Sequence, residues 1–267
     1  MDLNTVTTFR RARTRADLAL APGERILGGG TWLYSEAQVG TTGLVDLTTM
    51  GWPALERTDA GLRIAATCTI AELSRIPAEP GWRAHPLFFQ CATALLASFK
   101  IWNIATVGGN VCRSFAAASM VSLCVALDAE AVVWTPDGGE YRLPVERFVT
   151  GNGTNVLAPG EVLRAIDVPE RALRATTGYR KIALAELGRS GAVLTGRRDE
   201  SGEVVFGMTA ATLAPTVLRY PAVPEAAILL RDVHAAGGYY TDPLGSADWR
   251  RHVSAVLLEE IRQELAA

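Results

Sequence analysis

The chain lacks the features that mark nucleic-acid, membrane and metal proteins. Its 26 Lys and Arg residues are outnumbered by 28 Asp and Glu residues across 267 positions, a formal charge of −2. Without a basic excess, the sequence gives no support to a nucleic-acid or anionic-membrane partner. No apolar run reaches the roughly twenty residues that cross a bilayer. The N-terminal stretch carries five charged residues before Asp17 and no apolar core, so no secretory signal is read and the cytoplasm is the expected compartment. Cys68, Cys91, Cys112 and Cys124 never form a Cys-x-x-Cys pair. That spacing argues against a zinc ribbon or an iron–sulfur cluster held by this chain, and reduced core cysteines are expected. His85, His234 and His252 are scattered without acidic or cysteine neighbours at ligand spacing, so no metal site is assigned. Nor is there a Ser-His-Asp set or a paired-carboxylate constellation, and no catalytic side chain is assigned.

Glycine, by contrast, is placed with purpose. One turn reads Ile26-Leu27-Gly28-Gly29-Gly30-Thr31-Trp32-Leu33, and a second reads Asn103-Ile104-Ala105-Thr106-Val107-Gly108-Gly109-Asn110. Each sets side-chain-free backbone after a short apolar run, with a Thr alongside. Backbone N–H groups in such a turn can approach a phosphate closely, because no Cβ stands in the way. Neither is a complete nucleotide fingerprint. Leu33 occupies the third glycine position of Gly-x-Gly-x-x-Gly, and no Gly-Lys-Ser/Thr follows either turn. Alone, each reads as a tight connection. Together they suggest a clamp on one diphosphate.

The length suits two or three subdomains around a shared cleft. Strands are expected at Glu24 to Leu27, Gly43 to Leu47, around Leu62 to Ala66, at Ala129 to Trp134 and at Val162 to Val168. A helix is expected to open at Thr31 and run to Ala37, aiming its positive end at an anion. Thr69-Ile70-Ala71-Glu72 has capping-box spacing. Helices are expected after His85-Pro86, through Ser98, and over Met120 to Leu127, with an Asp137-Gly138-Gly139 hairpin between the strands that follow. After a linker at Arg174 to Gly178, strands at Tyr179 to Leu184, Ala192 to Arg197 and Val204 to Leu213 read as one antiparallel sheet. Helices at Pro224 to Arg231 and Asp248 to Leu265 complete the chain.

With these residues in view, the chain resembles the medium, FAD-binding subunit of the molybdenum hydroxylases, the family of carbon monoxide and xanthine dehydrogenases. Gly28 to Leu33 matches the family's first glycine loop and Trp102 to Asn110 its second. Gly61 to Leu73, Glu161 to Pro169, Tyr179-x-Lys181 and Ser246 to Arg251 follow in the family's order, so the resemblance covers nearly the whole chain. It implies an α+β fold, with a two-subdomain FAD-binding region of the vanillyl-alcohol-oxidase/PCMH type over residues 1–173, divided at about 57/58. A C-terminal domain of antiparallel sheet and helices then occupies residues 174–267.

The resemblance further implies cofactor contacts from Leu27, Gly28, Gly29, Gly30, Thr31, Trp32 and Leu33. Others would come from Ala105, Thr106, Val107, Gly108, Gly109 and Asn110, and from Ser114, Ala118, Ser119, Leu163 and Lys181. The cofactor would be FAD. Molybdopterin and 2Fe-2S clusters would lie on partner subunits, a molybdopterin large subunit and an iron–sulfur small subunit, in a heterohexamer. The role implied is electron transfer from the iron–sulfur subunit to an external acceptor. The sequence departs from the family at Trp32, where Asp or His is common, and at Trp102, where Arg is common. Phe115-Ala116 and Ser119 stand where Ser-Pro and an Asp are usual. Arg113 reads either as a positive charge beside the diphosphate or as a solvated arginine, and Lys181 either as a cofactor contact or as an exposed strand residue. The alternative function is a non-redox assembly or binding module of the same fold, with weak or no FAD binding.

Overall fold

Three sheets organise the chain in a computed structural model that describes residues 3–186 and 188–267. The first sheet joins β1 (Thr8–Arg11), β2 (Glu24–Leu27) and β3 (Gly43–Asp46), in the order β1-β3-β2 with both pairings parallel. All four residues of central β3 are buried, as a strand covered on both faces requires. Strand β2 ends at Leu27, opposite Asp46 at the end of β3. The first glycine turn therefore leaves from the carboxyl edge of a small parallel sheet, where α/β folds place their ligands.

The second sheet is antiparallel. It contains β4 (Leu55–Thr58), β5 (Gly61–Ala65), β6 (Glu130–Trp134) and β7 (Glu140–Pro144). After a two-stranded ribbon of β8 (Val149–Gly151) and β9 (Thr154–Asn155), β10 (Val162–Pro169) runs through its centre, giving the order β4-β5-β10-β6-β7. The division placed at 57/58 falls inside β4, whose pairing with β5 assigns it to this second sheet. Helices α1 (Ile70–Ser74), α2 (Pro86–Thr93), α3 (Phe99–Trp102), α4 (Val107–Arg113), α5 (Ser119–Ala126), α6 (Val145–Phe148) and α7 (Glu170–Arg174) accompany it. The Thr69 box is formed: Thr69 Oγ1 accepts from the Glu72 N–H at 3.1 Å, and Glu72 Oε2 accepts from the Thr69 N–H at 2.8 Å. The helix expected over Thr31 to Ala37 is instead a pair of turns, with Tyr34 N–H donating to Gly30 O and Ser35 N–H to Trp32 O. Residues Tyr34 to Ala37 are exposed, so nothing covers a further turn, and so short a helix is unstable unless packed. Helix α2 likewise stops at Thr93, short of the expected Ser98.

The third sheet, β11 (Thr176–Ile182), β12 (Ala192–Arg198), β13 (Val204–Thr209) and β14 (Thr216–Tyr220), is antiparallel in chain order. Helices α8 (Ala226–Ala235) and α9 (Ala247–Ala266) pack on one face, and α5 lies against β12 and β13. Every residue of α5 is buried, as is every residue of β13. A helix apolar on all sides belongs between layers, and α5 sits between the second and third sheets. A hydrogen bond of 2.6 Å between Ser122 Oγ and Thr209 Oγ1 ties it to β13.

An ion cluster closes the same junction. Asp128 follows α5 with φ of 49°, a left-handed conformation that Asp tolerates. Its carboxylate accepts from Arg197 at 2.5 Å, from Arg171 at 2.8 Å and from Arg219 at 2.9 Å. The fully buried Arg197 also binds Asp199 at 2.7 Å and the Ala126 carbonyl at 2.9 Å. Burial alone would push the Asp128 carboxyl up, but the three arginines, Arg197 foremost, hold it down at about 2. A depressed carboxyl stabilises the fold above its unfolded value, and that stability is lost as pH falls through the folded value. Asp128→Asn is therefore expected to lower stability by about 3 kcal/mol at neutral pH, because it uncovers buried charge. It should also flatten the acid limb between pH ~4 and ~2. Urea unfolding of both proteins across that range measures both effects.

Candidate functional site

The two glycine turns meet backbone to backbone. A Cβ at Gly29 would lie 1.7 Å from the Ile104 carbonyl oxygen, and one at Gly28 would lie 2.8 Å from Thr106 Oγ1. Gly30 adopts φ of 72°, a conformation that favours glycine. Between and around the turns opens a cleft of about 910 Å³, within the range of cofactor sites. Of the residues nominated from the sequence, Leu27 to Leu33, Ala105, Thr106, Gly108, Gly109, Asn110 and Leu163 line it.

The turns differ in how they use their N–H groups. Among the described residues, no N–H of Gly28 to Leu33 donates to an acceptor of the chain. Six consecutive donors thus lack a partner in the chain, on residues that line the half-buried cleft, and an anion there could take several of them. In the second turn, Val107 N–H donates to Cys68 O at 2.8 Å and Gly108 N–H to Ala66 O at 3.0 Å. Gly109 N–H donates to Thr106 Oγ1 at 3.0 Å and Asn110 N–H to Thr106 O at 2.9 Å. These bonds anchor α4 to the connection after β5. Donor supply is therefore one-sided, with the second turn contributing a smooth glycine surface and the Asn110 side chain. The Asn110 Oδ1 accepts from Met120 N–H at 2.9 Å, which leaves its amide nitrogen for the cleft.

Other nominated residues lie off the cleft wall. Val107 is fully buried in the core. Ser114, buried with φ of 52°, donates to Val111 O at 2.8 Å and accepts from Asn155 Nδ2 at 3.2 Å. Ala118 caps α5, and the buried Ser119 Oγ has no partner among the described residues. Lys181 sits on β11 opposite Val193. From the C-terminal domain it is Arg189 that lines the cleft, in a connection carrying no sequence motif. Trp102 also lies outside the wall, edge-on to Phe89 at 6.3 Å. Of the charged lining residues, Glu24 is paired with Arg10 at 2.7 Å. Glu161 accepts from Tyr141 at 2.9 Å, and Arg25 donates to Thr41 at 2.8 Å.

Burial pushes the thiols of Cys68, Cys112 and Cys124 up to about 12, and that of Cys91 up as well, which makes them inert. Among the described residues, no group of three His, Cys, Asp or Glu side chains is placed to hold a metal ion, and no helix is long and apolar enough to cross a membrane.

Comparison with known proteins agrees with the geometry. The family profile described as "FAD binding domain in molybdopterin dehydrogenase" matches residues 7–171, more than half the chain. The chain is 26% identical over 226 residues to the xanthine dehydrogenase FAD-binding subunit XdhB named in Escherichia coli K12, covering 79% of this chain and 76% of that one. It is 28% identical over 173 residues to the xanthine dehydrogenase FAD-binding subunit of Escherichia coli O157:H7, covering 61% and 57%. A chain of reconstituted CO dehydrogenase from Oligotropha carboxidovorans superposes with a TM-score of 0.84 at 20% identity, covering 99% of both chains. At that identity the likeness shows the fold: the α+β, PCMH-type architecture.

The two adjacent glycines of α4 face different neighbours and should respond differently to a methyl group. At Gly108 a Cβ would press on Ala66 at 2.5 to 2.7 Å, so Gly108→Ala is expected to cost about 2 kcal/mol by overpacking. At Gly109 it would meet only Thr106 Oγ1, at 2.8 Å, and helix propensity offsets the disturbed cap. Gly109→Ala should change stability by less than about 1 kcal/mol. Thermal melts of the two variants decide the matter.

Proposed function

The chain belongs to the family of FAD-binding domains of molybdopterin dehydrogenases, and on that premise we propose that it is the FAD-binding electron-transfer subunit of a molybdopterin-dependent dehydrogenase or hydroxylase. The observation that carries the reading is the run of six unpartnered N–H groups over Gly28 to Leu33, at the lip of a cleft that a second glycine turn completes. Those donors suit a diphosphate, and the glycine contact at Gly29 and Ile104 leaves no side chain to obstruct it. Thr31, Thr106 and the Asn110 amide offer side-chain hydrogen bonds along the cleft, and Leu27, Leu33, Ala105 and Leu163 offer apolar walls for a ring system. Lys181, off the wall, has no part in this proposal. Bound FAD supplies the redox chemistry, while the chain positions it and excludes water.

Electron transfer needs partners, and the proposal names an iron–sulfur small subunit and a molybdopterin large subunit in a cytoplasmic heterohexamer. Supporting this, Phe89, Leu96, Phe99 and Ile104 are exposed apolar residues beside Leu95 and Ile101, which line the cleft. The names of the relatives as subunits point the same way. The substituted Ser119, buried without a hydrogen bond, is the observation favouring the assembly-module reading.

An absorption spectrum of the purified chain, with chromatography of the small molecule released by heat, separates the two. About one FAD per chain is expected. A colourless protein that fails to take up added FAD would overturn the flavin reading and leave the assembly module. In a second test, Gly109→Val should fold normally yet retain at least tenfold less FAD, because its branched side chain enters the cleft. Full FAD content in the folded variant would remove the second turn from the site.

A further inference from the structure

One cation of the cleft wall is held by aromatic rings and, among the described residues, by no carboxylate. Arg113, at the end of α4, places its guanidinium carbon 3.7 Å from the centre of the Trp32 ring and 4.1 Å from that of Phe115. The two rings meet edge-on at 6.2 Å, so they cup the guanidinium between them. All three residues line the cleft. Among the described residues no nitrogen of Arg113 donates a hydrogen bond and no carboxylate lies within ion-pair distance, and Nε is shielded from solvent. By contrast, the part-buried Arg63 and the buried Arg197 each hold a carboxylate within 3 Å, while Arg164, stacked on Trp52 outside the cleft wall, likewise holds none among the described residues.

Aromatic faces attract a guanidinium but accept none of its five in-plane N–H bonds. A part-buried cation with a shielded, unused donor gains from an anion that joins it. Burial also lowers the guanidinium pKa, against the opposing pull of the more distant Glu36 carboxylate, and it stays protonated at any working pH. Trp32 and Phe115 are two of the positions at which the sequence departs from its family, and the structure shows that they act together. They build the cradle that fixes Arg113.

We propose that Arg113, oriented by Trp32 and Phe115, is an anion-binding residue of the cleft that takes an anionic oxygen of the bound flavin nucleotide. The inference rests on the FAD reading. The anionic oxygen has two possible sources: the diphosphate, or the pyrimidine edge of the isoalloxazine, which gains negative charge on reduction. Trp32 and Phe115 are positioning residues that act through Arg113.

The test uses the full chain and its Arg113→Met variant, which keeps the apolar stem and loses the charge. FAD and riboflavin are titrated into each, and flavin midpoint potentials are measured. If the diphosphate is the partner, FAD affinity falls about ten- to hundredfold while riboflavin affinity holds. If the flavin edge is the partner, the midpoint potential falls while affinity for oxidised FAD changes little. Either result supports the proposal. Unchanged FAD affinity together with an unchanged potential in a folded variant would overturn it and leave the FAD reading standing. Failure of the wild-type chain to bind either flavin would overturn both. Should Arg113→Met not fold, Arg113→Lys serves, since it keeps charge but not the planar stack. A partial loss in the same readout supports the role, and wild-type values of affinity and potential refute it. Trp32→Leu should reproduce part of the Arg113→Met effect and add little to it in the double variant.

Discussion

The cleft exists because two pieces of backbone touch where a side chain on Gly29 would not fit. The Cα of Gly29 approaches the Ile104 carbonyl so closely that even a methyl group would overlap it. That contact sets the distance between the parallel sheet ending at Leu27 and the segment entering α4, and hence the shape of everything lining the space between them. It also explains the asymmetry of the donors. The second turn is held by its own N–H groups to Cys68, Ala66 and Thr106. The first turn, braced against it, keeps its N–H groups free.

A second device holds the C-terminal sheet in place. Helix α5, buried on every side, carries Asp128 at its exit, where arginines from β12, α7 and β14 converge. The cost of burying these charges is met by mutual pairing, so the cluster works as a geometric lock more than as a source of net stability. From the third sheet, Arg189 in the β11–β12 connection reaches the cleft wall. The site is thus composite, with its donors on the first sheet, its floor on the second and a cation from the third.

Much of this was legible in the sequence. Strands β2, β5, β10 and β12 were readable from alternating or continuous apolar patterns, the Thr69 box from its spacing, and both glycine turns from composition. These features depend on residues close together in the chain. Strands β1 and β4 carry weak patterns, since Thr8 to Arg11 and Leu55 to Thr58 are largely polar edge segments that become strands only by pairing with β3 and β5. The helix expected after Gly30 failed for the opposite reason: its local signals were adequate, but no partner covers it. Arg113 was visible as a charge near a glycine turn, yet its state depends on two rings from different loops.

By itself, the sequence determined the pair of side-chain-free turns, because these follow from residue type and short-range spacing, and through its family resemblance it implied the fold class. The tertiary structure decided which donors are free, which of the nominated residues reach the cleft, and which arginines are neutralised. Many of those outcomes depend on hydrogen-bond acceptors, rings and carboxylates from distant parts of the chain, and no local pattern encodes a partner at that distance.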